Sequence, residues 1–189
     1  MMRHIYLKFQ CLGLFLIISF LLPIKITSNE KYLFREYQVG LIKDQIRSLK
    51  PLPEDQLNHI AQSILISSEA NQIPYKLMTS IIMVESSFSQ QAISTTGDIS
   101  IVQINYKIWK KEAIRMNMEL SEERLKTDSR YAIQKMGMIL KYLKKTYSRN
   151  DQYWYARYHS RTPKLKQNYL TRLIAVNNKQ SVTSNKDIF

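Results

Sequence analysis

The stretch IPYKLMTSIIMVESSF, residues 73–88, decides the fold that this sequence predicts. Pro74 suits the first turn of a helix, so a helix is predicted to begin at about Tyr75. The apolar residues that follow recur at helical spacing, and they are Leu77, Met78, Ile81, Ile82 and Val84. The pattern predicts a helix that buries one face.

An acidic residue lies on that apolar face. Met78, Ile81, Ile82 and Glu85 stand at positions i, i+3, i+4 and i+7 and therefore share one side of the helix. Burial raises the pKa of a carboxyl, which keeps a proton available near neutral pH for donation to a leaving oxygen. Glu85 is thus a candidate general acid. A glutamate near a helix end can also turn to solvent or pair with Lys or Arg, so position alone leaves both interpretations open.

The rest of the chain is also predicted to be helical. Residues 86–99 lose the helical period and indicate a surface loop, after which a helix is predicted from about Val102 to Met116. Asp128 is placed to cap a long helix. The other apolar patterns lie at residues 32–49, 57–65, 132–143, 153–158 and 165–173. Because no alternating strand pattern of useful length occurs, the prediction is a mainly α fold with a single domain.

The first residues have the features of a secretory leader. Arg3 and Lys8 give a basic start, and residues 11–22 are almost continuously apolar. That run is shorter than the roughly 20 residues that span a bilayer of about 30 Å. A signal peptide over residues 1–28 is therefore predicted, with a periplasmic or otherwise exported location. Residues 26–28 lack a small-x-small cleavage pattern, so an uncleaved N-terminal anchor is the alternative, and only then is a membrane partner expected.

The predicted organisation has three parts after the leader. Residues 29–53 form an N-terminal helix and linker, residues 54–176 form the main domain, and residues 177–189 form a polar, disordered tail.

Composition restricts the chemistry and the partners. Cys11 is the only cysteine, so removal of the leader would exclude disulfides, thiolate metal sites and a cysteine nucleophile. His4, His59 and His159 are too scattered to predict a metal site, and no cofactor is expected. Beyond residue 28 the chain has 25 basic and 15 acidic residues, a net charge of +10. For an exported protein this charge favours anionic wall polymers or phospholipid head groups over nucleic acid, or is simply a solvated surface.

Several linked motifs resemble one family. They are Ile73-Pro74-Tyr75-Lys76-Leu77, Glu85-Ser86-Ser87-Phe88, Ala92-Ile93-Ser94, and Gly97 followed by Val102-Gln103-Ile104-Asn105. In order and spacing they resemble the soluble lytic transglycosylase (SLT) domain of the lysozyme-like superfamily, related to goose-type lysozyme. The resemblance covers about residues 57–173 and implies a lysozyme-like helical domain with a catalytic cleft at residues 54–176.

The resemblance also implies an activity. Enzymes of this family cleave the β-1,4 bond between N-acetylmuramic acid and N-acetylglucosamine in peptidoglycan glycan strands with a single acid/base, whose place Glu85 takes. The muramyl 6-hydroxyl attacks its own C1 and leaves a 1,6-anhydromuramyl end, so the two-carboxylate scheme of hydrolysis is not required. Small enzymes of this kind open the wall locally for secretion systems, pili or conjugation machines, which makes such an assembly a possible partner by analogy.

The remaining site residues are carried over by position. Gln103 takes the place of the glutamine that lines the sugar cleft, and Tyr158 that of the tyrosine near the catalytic carboxyl. The motifs supply Ser86, Ser94 and Asn105 as further substrate-binding candidates, and His159 is another because it can donate or accept a hydrogen bond.

Two departures from the family pattern leave alternatives open. Ser100 stands where the loop usually has a second glycine, and Arg157-Tyr158-His159-Ser160-Arg161 replaces the usual Ala-Tyr-Asn-Ala-Gly. The second change favours, as one alternative, a non-catalytic wall-binding scaffold. Another alternative is a lysozyme-type muramidase that uses Asp98 as a second carboxylate, although Asp beside Gly more often serves a turn.

Overall fold

The computed structural model describes residues 27–184. It is mostly helical, which confirms the predicted mainly α fold. The elements in chain order are helices α1 (Ser28–Leu49), α2 (Glu54–Asn71) and α3 (Tyr75–Ser86), strands β1 (Asp98–Ile99) and β2 (Ile104–Asn105), helices α4 (Tyr106–Arg115), α5 (Glu122–Thr127) and α6 (Ser129–Tyr147), the 3-10 helix Trp154–Tyr158, and helix α7 (Pro163–Ser184).

The chain divides into two compact units, Met1–Arg35 and Glu36–Phe189. In the described part of the first unit, Thr27 and Glu30 form a capping box at the start of α1. The Glu30 backbone N–H donates to Thr27 Oγ1 at 3.2 Å, and the Thr27 backbone N–H donates to Glu30 Oε2 at 2.7 Å. Nearly all of the predicted leader, residues 1–26, lies outside the described residues. Among residues 27–184, no helix is long and apolar enough to cross a membrane.

Helices α2 and α6 form the centre of the second unit. They approach closely at Gly137, where an added Cβ would lie 2.2 Å from Ser67 Oγ and 2.6 Å from Asn71 Nδ2. Ser67 Oγ donates to the Ile133 carbonyl at 3.0 Å, which joins the two helices through a buried hydrogen bond. Asp128 caps α6 as predicted, because its side chain accepts from the Tyr131 backbone N–H at 2.9 Å.

Helix α3 buries the face that its sequence predicts. Met78, Ile81 and Ile82 have no exposed surface. The helix ends at Ser86 because Ser87 and Phe88 both have positive φ angles, 51° and 62°, which lie in the left-handed region. These two residues turn the chain away, and Phe88 is buried in the core.

The loop after α3 contains a short antiparallel hairpin, in which β1 pairs with β2. The predicted start of the next helix near Val102 is wrong, because α4 begins at Tyr106. Ser100 and Gln103 have φ angles of 72° and 51°, and such angles are incompatible with a right-handed helix. Asn105 provides the actual start, since its side chain accepts from the Ile108 backbone N–H at 3.2 Å.

Helix α7 continues to Ser184, beyond residue 177 where the sequence analysis placed the tail. At the predicted start of the tail the helix contacts α3, because Ser80 Oγ donates to Asn177 Oδ1 at 2.7 Å. Residues 185–189 lie outside the described residues.

Candidate active site

Glu85 lies in the last turn of α3 and is directed into the protein. Its side chain is only 8% exposed. Burial raises its pKa from 4.5 to about 7, against the opposing influence of the Tyr169 hydroxyl and the positive charge of Arg172. The negative charge of Asp98 raises the pKa further. A carboxyl with this pKa is partly protonated at neutral pH and can donate a proton.

Two side chains from distant parts of the chain face this carboxyl. Tyr169 of α7 is fully buried, and its hydroxyl interacts with the Glu85 carboxyl. His159, directly after the 3-10 helix, stacks on the Tyr169 ring with centroids 4.7 Å apart and planes 8° apart. His159 Nδ1 lies 3.8 Å from Glu85 Oε1. Within the described part of the chain, neither Glu85 Oε1 nor the Tyr169 hydroxyl has a hydrogen bond of good geometry.

Glu85 opens into a cleft of about 350 Å³. One side of the cleft is formed by the β1–β2 hairpin and α4, and the other by the segment around the 3-10 helix. The lining residues besides Glu85 are Asp98, Gln103, Asn105, Ile108, Trp109, Glu112, Arg157, Tyr158, His159, Ser160 and Arg161. A proton-donating carboxyl in a groove open to solvent is the arrangement that acid catalysis on a polymer requires.

The family model for the transglycosylase SLT domain matches residues 62–168, more than half of the chain. The chain belongs to this family. The resemblance drawn from the motifs is therefore confirmed, and with it a peptidoglycan-acting function of the lytic transglycosylase type. Proteins of this family act on peptidoglycan outside the cytoplasm. Among curated proteins and solved structures, no significant match to the chain was found.

Four predicted site residues meet Glu85 in the cleft: Gln103, Asn105 and Tyr158, which follow the SLT pattern, and His159, which departs from it. Three of them also hold the surrounding backbone. Tyr158 donates to the Val102 carbonyl at 2.7 Å, Gln103 Nε2 donates to the Ala92 and Ser100 carbonyls at 2.9 and 3.0 Å, and Asn105 caps α4. Their side chains thus fix the shape of the loop that forms the cleft wall.

The two predicted serines are not part of the cleft lining. Ser86 Oγ donates to the Ile101 carbonyl and so fastens the end of α3 to the loop. Ser94 Oγ donates to Asp98 Oδ2 at 2.8 Å. The Thr96 hydroxyl donates to the same oxygen at 2.7 Å, so Asp98 serves the turn, as the sequence analysis favoured. Asp98 nevertheless lines the cleft as well.

Sequence reasoning missed several residues of the site. Tyr169 and Arg172 lie beyond the residues that the SLT model matches, and α7 brings them to Glu85. On the cleft wall, Glu112 Oε1 lies 3.5 Å from Arg161 Nη2 and 3.3 Å from Arg115 Nη1. The sequence feature that could have indicated Tyr169 and Arg172 is their spacing, which places both side chains on adjacent turns of one helix.

The segment that replaces the usual SLT sequence is anchored by a half-buried ion cluster. Asp151 Oδ2 lies 2.7 Å from Arg157 Nε and 2.6 Å from Lys166 Nζ, so it joins the 3-10 helix to α7. Arg157 also lies over the Tyr147 ring, 4.3 Å from its centroid. Arg157 therefore has a structural role, and the changed segment keeps a defined conformation. No group of acidic, histidine or cysteine side chains able to hold a metal occurs within residues 27–184.

Proposed function

We propose that this protein is a catalytically active lytic transglycosylase that cleaves the β-1,4 bond between N-acetylmuramic acid and N-acetylglucosamine. The observation that carries the proposal is the buried carboxyl of Glu85, with a pKa of about 7, at a cleft that is open to solvent. In this mechanism protonated Glu85 donates to the glycosidic oxygen and the bond to muramyl C1 breaks. The resulting carboxylate then takes the proton of the muramyl 6-hydroxyl as that oxygen bonds to C1.

The cleft fits this single-acid scheme better than a hydrolytic one. A hydrolase needs a second carboxylate as nucleophile or as base for water. Asp98 and Glu112 also line the cleft, but one oxygen of Asp98 already accepts from both Ser94 and Thr96. Glu112 is paired with Arg161 and Arg115. An intramolecular nucleophile removes the need for a second protein carboxylate. The anhydromuramyl product follows from this difference.

Digestion of purified peptidoglycan tests the proposal. The wild-type protein is expected to release muropeptides with 1,6-anhydromuramyl ends, each lighter by one water than a reducing end, as seen by mass spectrometry. Glu85→Gln keeps the size of the side chain but cannot donate an acidic proton, so product formation is expected to fall by about 10²–10⁴-fold. Glu123→Gln, at an exposed position on α5, is the matched control and should retain wild-type turnover.

Two other outcomes of the peptidoglycan digest would support the alternative functions, a muramidase or a non-catalytic scaffold. Reducing muramyl ends that disappear in Asp98→Asn would support a lysozyme-type muramidase, which the position of Asp98 in the cleft favours. Equal turnover by wild type and Glu85→Gln would remove the catalytic role of Glu85 and support a non-catalytic wall-binding scaffold.

We also propose that the protein acts in the periplasm or another exported compartment, because its substrate lies there. A link to a secretion, pilus or conjugation machine remains an inference from family analogy.

A further inference from the structure

Glu85 Oε1 is buried without a hydrogen-bond partner in the described structure. Leaving a buried polar atom unpaired is destabilising, because the atom has lost its hydrogen bonds to water without replacement, so such an atom calls for an explanation. His159 Nδ1, at 3.8 Å, is a ring nitrogen that faces it. This distance is too long for a hydrogen bond, but catalytic hydrogen bonds are often long without substrate and shorten in the complex.

The position of the His159 ring is well defined. The ring lies parallel to the Tyr169 ring, and its segment is held by the Asp151 ion cluster. The side chain is 33% exposed, so one edge reaches the cleft while Nδ1 faces the buried carboxyl. An ordinary SLT sequence has asparagine at this position, so a titratable group here is a feature of this chain.

We propose that His159 is the positioning residue for the Glu85 carboxyl: its neutral ring donates from Nδ1 to Oε1, which leaves the acidic proton on Oε2 for the glycosidic oxygen. This inference rests on the proposed function, because it assigns a role within that reaction. No proton moves between the two residues. The ring fixes which carboxyl oxygen carries the proton that is donated.

The charge state of the ring decides whether it can act in this way. The titratable groups around it are Glu85 on α3, Asp98 on β1, Tyr158 on its own segment, and Tyr169 and Arg172 on α7. Burial lowers the pKa of His159 below 6.5, Arg172 lowers it further, and Asp98 raises it in part. The ring is therefore neutral at pH 7.

Protonation of the ring would oppose the reaction. An imidazolium beside Glu85 favours the carboxylate over the acid, and its charge disfavours the oxocarbenium-like transition state of glycosidic cleavage. Activity is expected to be highest at a pH between the pKa of His159 and the pKa of Glu85. It falls above about pH 7 as Glu85 loses its proton, and it falls again below the pKa of His159 as the ring gains one.

The pH dependence of kcat for release of anhydromuramyl products tests the inference. His159→Asn retains an N–H donor near the Nδ1 position but cannot titrate, so it should keep kcat near pH 6.5 within about threefold and lose the acid limb. His159→Ala removes the donor and should lower kcat about tenfold with little change in KM. His59→Asn, at a histidine bonded to Ser129 instead, is the matched control and should keep the wild-type profile. An unchanged acid limb in His159→Asn would overturn the inference.

A second measurement does not depend on turnover. In a ¹⁵N NMR titration of the imidazole rings, the His159 signals should show a step near pH 7 that reports ionisation of Glu85 and is absent in Glu85→Gln. A His159 titration that is the same in both proteins would overturn the inference. If the wild type releases no anhydromuramyl product, the proposed function fails, and the NMR titration still decides whether His159 is coupled to Glu85.

Discussion

The buried carboxyl of Glu85 links its protonation to the stability of the folded protein. Its pKa is about 7 in the folded state and close to the ordinary 4.5 in the unfolded state, so the folded protein binds this proton more tightly. Stability from this group is fully present below pH 4.5 and is lost as the pH rises through 7. The buried Glu85 carboxyl thus lowers the stability of the folded protein at neutral and basic pH.

Replacement of Glu85 by glutamine should remove this cost. At pH 8 the free energy of unfolding of Glu85→Gln is expected to exceed that of the wild type by up to about 3 kcal/mol, and near pH 4.5 the two should be similar. Urea unfolding across this pH range measures the difference. Glu123→Gln, whose carboxyl is exposed, should show no such trend. A Glu85→Gln protein that is less stable than the wild type at pH 8 would contradict the buried, raised-pKa carboxyl.

Helical periodicity predicted that Glu85 lies on the apolar face of α3, but it could not predict which side chains surround the carboxyl. The spacing of Met78, Ile81 and Ile82 fixes which side of α3 faces inward and places Glu85 on that side, but the structure was needed to show that its side chain does not turn to solvent. Tyr169 reaches the carboxyl from the last helix, and its local pattern indicates only a buried aromatic residue. Tyr158 shares the cleft with Glu85, and the bond from its hydroxyl to the Val102 carbonyl is a contact that the sequence did not indicate. Contacts between distant segments depend on packing that periodicity does not contain.

At the scale of elements, the sequence predicted well where a helix begins if a proline or a capping side chain marks its first turn. Pro74 precedes α3, and Asp128 caps α6. The loop after α3 was harder to predict, because non-glycine residues, Ser87, Phe88, Ser100 and Gln103, adopt positive φ angles there. Such angles are uncommon for these residue types, so composition gives no signal for them.

The crossing of α2 and α6 allows a matched test with two glycines. Gly137→Ala should lower the free energy of unfolding by about 2 kcal/mol, because the new Cβ would displace Ser67 from its bond to Ile133 and this outweighs the better helix propensity of alanine. Gly40→Ala, within α1 with no atom inside 4 Å of the new Cβ, should raise it by about 0.5–1 kcal/mol. Thermal or urea unfolding of both variants shows whether each substitution raises or lowers the free energy of unfolding. Stabilisation by both substitutions would show that the helices do not cross so closely.

At the scale of the whole molecule, the site is assembled from segments that lie far apart in the sequence. The end of α3 supplies Glu85, the hairpin and α4 supply one side of the cleft, and the 3-10 helix and α7 supply His159 and Tyr169. The family resemblance could predict this assembly because it encodes a known packing. Where the chain departs from the family, at residues 157–161, the resemblance could not assign the new contacts, and the ion cluster at Asp151 became visible only in the structure.

The charge of the whole chain predicts how it holds its substrate. Beyond residue 28 the net charge is +10, and peptidoglycan sacculi present carboxylates, so part of the attraction should be electrostatic. Binding of the Glu85→Gln protein to intact sacculi is expected to weaken as NaCl rises from about 0.1 M to about 1 M, because the Debye length falls from about 10 Å to about 3 Å. Co-sedimentation measures the bound fraction, and sacculi with amidated carboxylates serve as the control that should bind weakly at every salt concentration. Retention that does not change with salt would assign binding to uncharged contacts within the cleft, and the basic surface would then be only a solvated one.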